Sequence, residues 1–212
     1  MASKLKLFGE ACRVLRQTPV ATVTDDIFIR YELDRVYDDT LLECLEEGYW
    51  NFAMRTVAIE HSESVTPSFG FSYAFEKPSD WVRTSNVSGN GTMWPPIGAE
   101  GYADETTNWH ADFDPLYVSY VSNNTSYGLD LSLWPETFAL YVGCRLGLRV
   151  GPTVTGFNKE DEAALEKKCM ARLKNARSKD AMNQASVSPP PGRLVTARRG
   201  GLGRHYDYRQ NG

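Results

Sequence analysis

Leu33-Asp-Arg-Val-Tyr-Asp-Asp-Thr-Leu-Leu-Glu-Cys-Leu-Glu-Glu-Gly48 carries the clearest periodicity in the chain. Leu33, Val36, Tyr37, Leu41, Cys44, Leu45 and Gly48 recur at the three- and four-residue steps of one helix face. Asp34, Arg35, Asp38, Asp39, Glu43, Glu46 and Glu47 fill the other face. The spacing predicts an amphipathic helix over roughly 26–47. Its acidic face reads as solvated, because carboxylates spread over several turns do not converge on one ion.

Upstream, Leu5, Phe8, Cys12 and Leu15 give a shorter helix one apolar side, with Ser3 as N-cap and Thr18-Pro19 as its end. Downstream the period changes to two. Phe69, Phe71, Tyr73 and Phe75 alternate with Gly70, Ser72 and Ala74, which predicts a strand stopped by Pro78. Trp109, Ala111 and Phe113 alternate again, Asp114-Pro115 turns the chain, and 116–121 is a further strand. The Gly-, Pro-, Asn- and Ser-rich stretch 86–101 reads as a loop.

Helices return at Pro135, a favourable first-turn residue. Phe138, Tyr141, Val142 and Leu146 predict a helix to Val150, ended by Gly151-Pro152. A last helix opens at Asn158, with Glu160, Asp161 and Glu162 early and Lys174, Arg177 and Lys179 late, as the helix dipole favours. Leu165, Cys169, Leu173 and Ala176 give it a thin apolar stripe.

The predicted fold is α+β and mainly α. A four-helix bundle is built from 1–55 and 132–185, with a small β-rich domain, 56–131, inserted between helices 2 and 3. An extended C-terminal arm follows over 186–212.

Charge divides along the same line. The whole chain has 23 Lys and Arg against 27 Asp and Glu, a net −4. From Ser186 onward five arginines face one acid, a local +4, which leaves −8 on the rest. An acidic body with a basic arm suggests an interaction arm. Arg193, Arg198, Arg199, Arg204 and Arg209, with Tyr206 and Tyr208, are its candidate grips. Tyr and Arg dominate protein interfaces, and the arginines are widely spaced without lysines, so a protein partner is preferred to nucleic acid.

Catalytic and cofactor chemistry leave no mark. The histidines His61, His110 and His205 are isolated and read as surface polar residues. No phosphate-binding glycine loop, nucleophile elbow or metal-ligand spacing occurs, so no catalytic residue, metal or cofactor is assigned. Cys12, Cys44, Cys144 and Cys169 are scattered without a CxxC pair and read as reduced core thiols. No signal peptide and no run of about 18 apolar residues is evident, so no membrane partner is expected.

Three stretches add a resemblance. They are Glu47-Gly-Tyr-Trp-Asn-Phe-Ala-Met-Arg55, Tyr73-Ala-Phe-Glu-Lys-Pro-Ser-Asp-Trp-Val-Arg83 and Trp134-Pro-Glu-Thr-Phe-Ala-Leu-Tyr-Val-Gly-Cys-Arg-Leu-Gly-Leu148. Their order resembles the head-to-tail adaptor (connector) proteins of tailed bacteriophages, the tail tubular protein A group in particular. The motif residues are Trp50, Phe52, Tyr73, Pro78, Asp80, Trp81, Arg83, Pro135 and Phe138. All of them read as structural. Pro78 fixes a turn, Asp80 caps backbone amides beyond it, Trp81 and Val82 return to the core, and Arg83 pairs with an acid.

The resemblance implies a non-enzymatic virion protein, assembled in the host cytoplasm and resident at the head–tail interface. It implies a homo-oligomeric ring, generally of twelve subunits, bound to the portal protein above and to a tail tube or nozzle protein below. DNA would pass through the ring's ejection channel without specific binding, and C-terminal arms would dock on the portal. Two other readings stand beside it. One is a cell-wall (peptidoglycan) hydrolase on the same scaffold, for which no carboxylate pair stands out. The other is a nucleic-acid-binding module using the Arg-rich arm.

Overall fold

A computed structural model describes residues 1–67, 70–93, 96–98 and 101–183. The described part is α+β: four helices and two small antiparallel sheets. The helices are α1 (Lys4–Val14), α2 (Phe28–Glu46), α3 (Glu136–Thr155) and α4 (Lys159–Met182). All described strands lie between α2 and α3: β1 (Met54–Ile59), β2 (Tyr73–Glu76), β3 (Trp81–Ser88), β4 (Tyr102–Asp104), β5 (Asn108–Ala111) and β6 (Leu116–Ser122). Among the described residues no helix is long and apolar enough to cross a membrane.

Helix α3 is the hub, packed by α1, α2 and α4. The chain approaches α1 closely through Gly143 and Gly147, four residues apart on one face of α3. A Cβ on Gly143 would stand 2.7 Å from Glu10 Cβ, and one on Gly147 2.5 Å from Val14 Cγ2. Missing side chains thus set the distance between the helices. Leu7, Phe8, Ala11 and Cys12 of α1 are buried there, whereas Leu5 is exposed. The apolar side of α1 is therefore rotated from the one predicted, towards Leu7 and Ala11.

Ser3 caps α1, accepting from the Lys6 N–H at 3.2 Å, and Asn158 caps α4, accepting from the Asp161 N–H at 2.8 Å. The end of α3 differs from expectation. The helix runs through Pro152 to Thr155 and stops at Gly156, which takes the left-handed conformation (φ 63°). One proline removes one N–H from the ladder. The Thr155 hydroxyl donates to the Gly151 carbonyl (2.7 Å), and only the glycine supplies the reversal that ends the helix.

The strands form two three-stranded sheets, ordered β1-β6-β3 and β2-β5-β4. Phe75, Trp109 and Ala111 from one sheet meet Val87, Leu116, Val118 and Tyr120 from the other in a buried cluster. Alternate residues of β6 thus face the second sheet. Val121, out of that phase, belongs to the helical core. Strands β1 and β3 were not predicted individually, and β3 carries 86–88, which composition assigned to a loop. The aromatic strand shortens to Tyr73–Glu76, and Phe69 lies outside the described residues. Phe113 lies beyond the end of β5 and is exposed.

All four cysteines are buried and free. His110 is buried, contrary to expectation, because β5 is the middle strand of its sheet. His61 is exposed and pairs with Asp114 (2.8 Å), and His205 lies outside the described residues.

Candidate functional site

Most of the residues that carry the resemblance lie where the sheets join the helices. Between α2 and β1 the chain makes a 3-10 turn, Asn51–Ala53. Trp50 before it is buried, and its indole N–H donates to the Cys44 carbonyl (3.0 Å), folding it back on α2. A second such turn, Leu131–Leu133, leads into α3. Trp134 donates its N–H to the Gly128 carbonyl (2.8 Å). Pro135 is the N-cap of α3, one position earlier than predicted, and its carbonyl accepts from Phe138 (3.0 Å) and Ala139 (3.1 Å).

Phe138, in the first turn of α3, joins these pieces. Its ring centroid lies 4.6 Å from Trp50, 4.9 Å from Phe52 and 4.8 Å from Trp134. The Trp134 contact is edge-to-face at 80°, an arrangement the ring quadrupoles favour.

Asp80 ties the other side of the junction. The Pro78 carbonyl accepts from the Trp81 N–H (3.0 Å), making the predicted turn. The buried carboxylate does not cap backbone amides as expected. It accepts from Arg55 (2.8 Å), the Ser122 hydroxyl (2.5 Å) and the Tyr120 hydroxyl (3.0 Å). Those donors come from β1 and β6, which the sequence could not place beside it. Burial disfavours its charge, but the three donors outweigh burial and hold the carboxyl below its ordinary range.

Arg83 also departs from expectation. It pairs with no acid among the described residues. It donates to the Glu46 carbonyl (3.1 Å) and lies over the Tyr49 ring at 4.3 Å. Arg177 of α4 donates to the Glu47 carbonyl and to Glu47 Oε2 (2.8 Å). Two guanidinium groups thus serve the end of α2, where carbonyls lack helical partners and the dipole is negative.

Trp81 is half-buried. Its N–H and that of Trp109 both donate to Thr84 Oγ1, at 3.1 and 2.9 Å. The Lys77 ammonium stands 3.5 Å from the Trp81 ring centroid and pairs with Asp104 at 2.5 Å. Tyr73 sits farther out, half-buried against His61 (5.1 Å) and Phe75 (6.5 Å). It does not join the junction.

Asp180, near the end of α4, is buried. Its carboxylate accepts the Asn51 backbone N–H, and its carbonyl accepts from Asn51 Nδ2 (2.7 Å). Burial raises its pKa more than the amide lowers it. Beside it a cleft of about 420 Å³ is bounded by Glu47, Tyr49, Arg83, Arg177 and Asp180.

A comparison with protein-family models finds no match, and a comparison with curated proteins finds none either.

The carboxylate of Asp80 has both oxygens engaged, and the rings of the junction are packed against one another. No group of His, Cys, Asp or Glu that could hold a metal occurs among the described residues. Arg193, Arg198, Arg199, Arg204, Tyr206, Tyr208 and Arg209, with the rest of the arm, lie outside the described residues. Sequence reasoning missed Thr84, Tyr120, Ser122 and Asp180, and it carried Arg55 as the end of a resembling stretch without its partner Asp80. Of those missed, Asp180 left a signal: it stands four residues after Ala176, in phase with the apolar stripe of α4.

Proposed function

We propose that this chain is a structural connector, the head-to-tail adaptor of a tailed bacteriophage. Its ring, of about twelve copies by the resemblance, joins the portal to the tail and continues the DNA channel. The observation that carries this reading is the junction. Trp50, Phe52 and Phe138 come from two of the resembling stretches and pack as one cluster, and Asp80 and Arg83 of the third fasten the sheets beside it. A part that bears load between two assemblies needs its helical and sheet layers locked together, and these residues do that.

In this reading the four helices act as a bundle that packs on neighbouring copies. The C-terminal arm docks on the portal through its arginines and tyrosines. Many arms held on one ring turn modest single affinities into firm attachment by effective concentration. The net acidic body repels DNA and lets it slide.

Co-purification with the portal protein of the same phage tests the proposal. The full chain is expected to be retained by portal. A chain ending at Ala185 keeps every described helix and strand, so it is expected to fold and to lose retention. A full chain that never binds portal sinks the connector reading. A shortened chain that binds like the full one sinks the role of the arm.

A further inference from the structure

Helices α2 and α4 turn outward faces of opposite charge. On α2 the buried residues are Ile29, Leu33, Tyr37, Thr40, Leu41, Cys44 and Leu45. Opposite them, by helical phase, lie Asp39, Leu42 and Glu46, preceded by Arg35, whose charge is taken up by Glu32 (2.6 Å). On α4 the buried residues are Leu165, Cys169, Leu173, Ala176 and Asp180. Opposite them lie Lys167, Met170 and Lys174, with Glu160 a further two turns back in the first turn.

The two sets share one spacing. Acid, apolar, acid falls at 39, 42 and 46; base, apolar, base falls at 167, 170 and 174. Each triplet therefore spans about 10.5 Å along its helix, with the apolar side chain between the charges. Asp39, Glu46, Lys167, Met170 and Lys174 are exposed and Leu42 is half-buried. None of the four charges has an ion pair among the described residues, although Asp34, Glu43, Glu47 and Arg172 do.

The helices also run in a common direction. Arg145 and Arg149 of α3 reach Glu43 and Thr40 of α2 in reverse order, so α2 is antiparallel to α3. Arg172 of α4 donates to the Leu140 carbonyl, and only residues 156–158 connect these two packed helices, so α4 is antiparallel to α3 as well. Hence α2 and α4 are parallel. These cross-links place Lys167 four to five residues along the axis, about 6–7 Å, from the height of Asp39, a gap a lysine side chain spans.

We propose that copies of this chain associate side by side, the α2 face of one against the α4 face of the next. Asp39 and Glu46 meet Lys167 and Lys174, and Leu42 packs on Met170 between them. The contact joins different surfaces, so it is heterologous and closes into a ring when the rotation between copies allows. The inference rests on the connector reading for its ring and adds the contact that builds it.

Two charge-reversed chains test it: Asp39→Lys with Glu46→Lys, and Lys167→Glu with Lys174→Glu. All four positions are exposed, and unchanged melting shows that both fold. Sedimentation velocity at low salt reads association. The parent chain is expected to sediment faster as concentration rises and to lose this at high salt. Each reversed chain alone is expected to stay monomeric, since its two faces carry like charge. An equal mixture is expected to recover the parent's sedimentation, with the two chains alternating. Carbodiimide coupling of a mixture of light and heavy-isotope parent chains is expected to link Lys167 or Lys174 of one copy to Asp39 or Glu46 of another. The proposal is overturned by a parent that stays monomeric without such links, by reversed chains that associate like the parent, or by a mixture that stays monomeric. Association without portal binding would remove the connector reading alone. Portal binding without this contact would remove the contact alone.

Discussion

Asp180 Oδ2 lies 3.1 Å from the backbone nitrogen of Asn51, 129 residues earlier in the chain. The contact pins the last turn of α4 to the turn that leads from α2 into the first sheet. It also places a buried carboxylate near the negative end of a helix dipole, which burial and the dipole both disfavour.

Its pKa in the folded chain is raised. The folded state then holds the proton more tightly than the unfolded one, and stability falls as pH rises through the folded value. Asp180→Asn keeps an oxygen for the Asn51 N–H and cannot ionise. It is expected to melt above the parent at neutral pH, with the gap closing as pH falls into the ordinary aspartate range. Thermal melts across pH check this, and equal melting at neutral pH would refute it.

Asp80 has the opposite sign. Its folded pKa is lowered, so its contribution is present above the unfolded value and is lost as pH falls through the folded one. Asp80→Ala strands Arg55, Tyr120 and Ser122 at a buried site. The expected cost is about 3 kcal/mol at neutral pH. Denaturant unfolding at neutral and acid pH should show the gap between variant and parent shrinking in acid.

Phe138→Ala removes the ring shared by Trp50, Phe52 and Trp134. Large-to-small changes at such buried sites cost about 3–5 kcal/mol. Loss of near-ultraviolet tryptophan signal together with lowered stability is the expected outcome. A variant that keeps both would mean the cluster does not couple the layers.

Gly147→Val forces a side chain into the space between α3 and α1, where even a Cβ would stand 2.5 Å from Val14 Cγ2 and 3.2 Å from the Ala11 carbonyl oxygen. The expected destabilisation is about 2 kcal/mol, since one of the neighbours is backbone. The same change at the half-buried Gly9, where nothing lies within 4 Å of a Cβ, is the control and should cost little.

Periodicity made much of the fold legible. The apolar stripe of α2 and the stripe and cap of α4 are where spacing placed them, because a helix face repeats every few residues and a cap is a local hydrogen bond. Short strands were harder. Met54–Ile59 has no fully buried residue and Trp81–Ser88 buries only its last two, so neither shows a strong contrast between an apolar and a polar face. Pro152 misled for a related reason: a local breaker was outvoted by the turn around it.

The candidate site divides in the same way. The residue types at Trp50, Pro78, Asp80 and Phe138 pointed to corners and core from sequence alone. Their partners did not follow. Asp80 was expected to hold nearby amides and instead holds side chains 25, 40 and 42 residues away in sequence. Arg83 was expected to find an acid and instead serves the carbonyl end of α2.

By itself, then, the sequence determined the helices, the N-caps of α1 and α4 and the division into an acidic body and a basic arm, since each depends on residues close together in the chain. Only the tertiary structure decided which groups Asp80, Arg83 and Asp180 engage, and that α2 and α4 point matched, opposite charges outward. Those facts depend on how distant segments pack around α3, and no spacing within one segment encodes them.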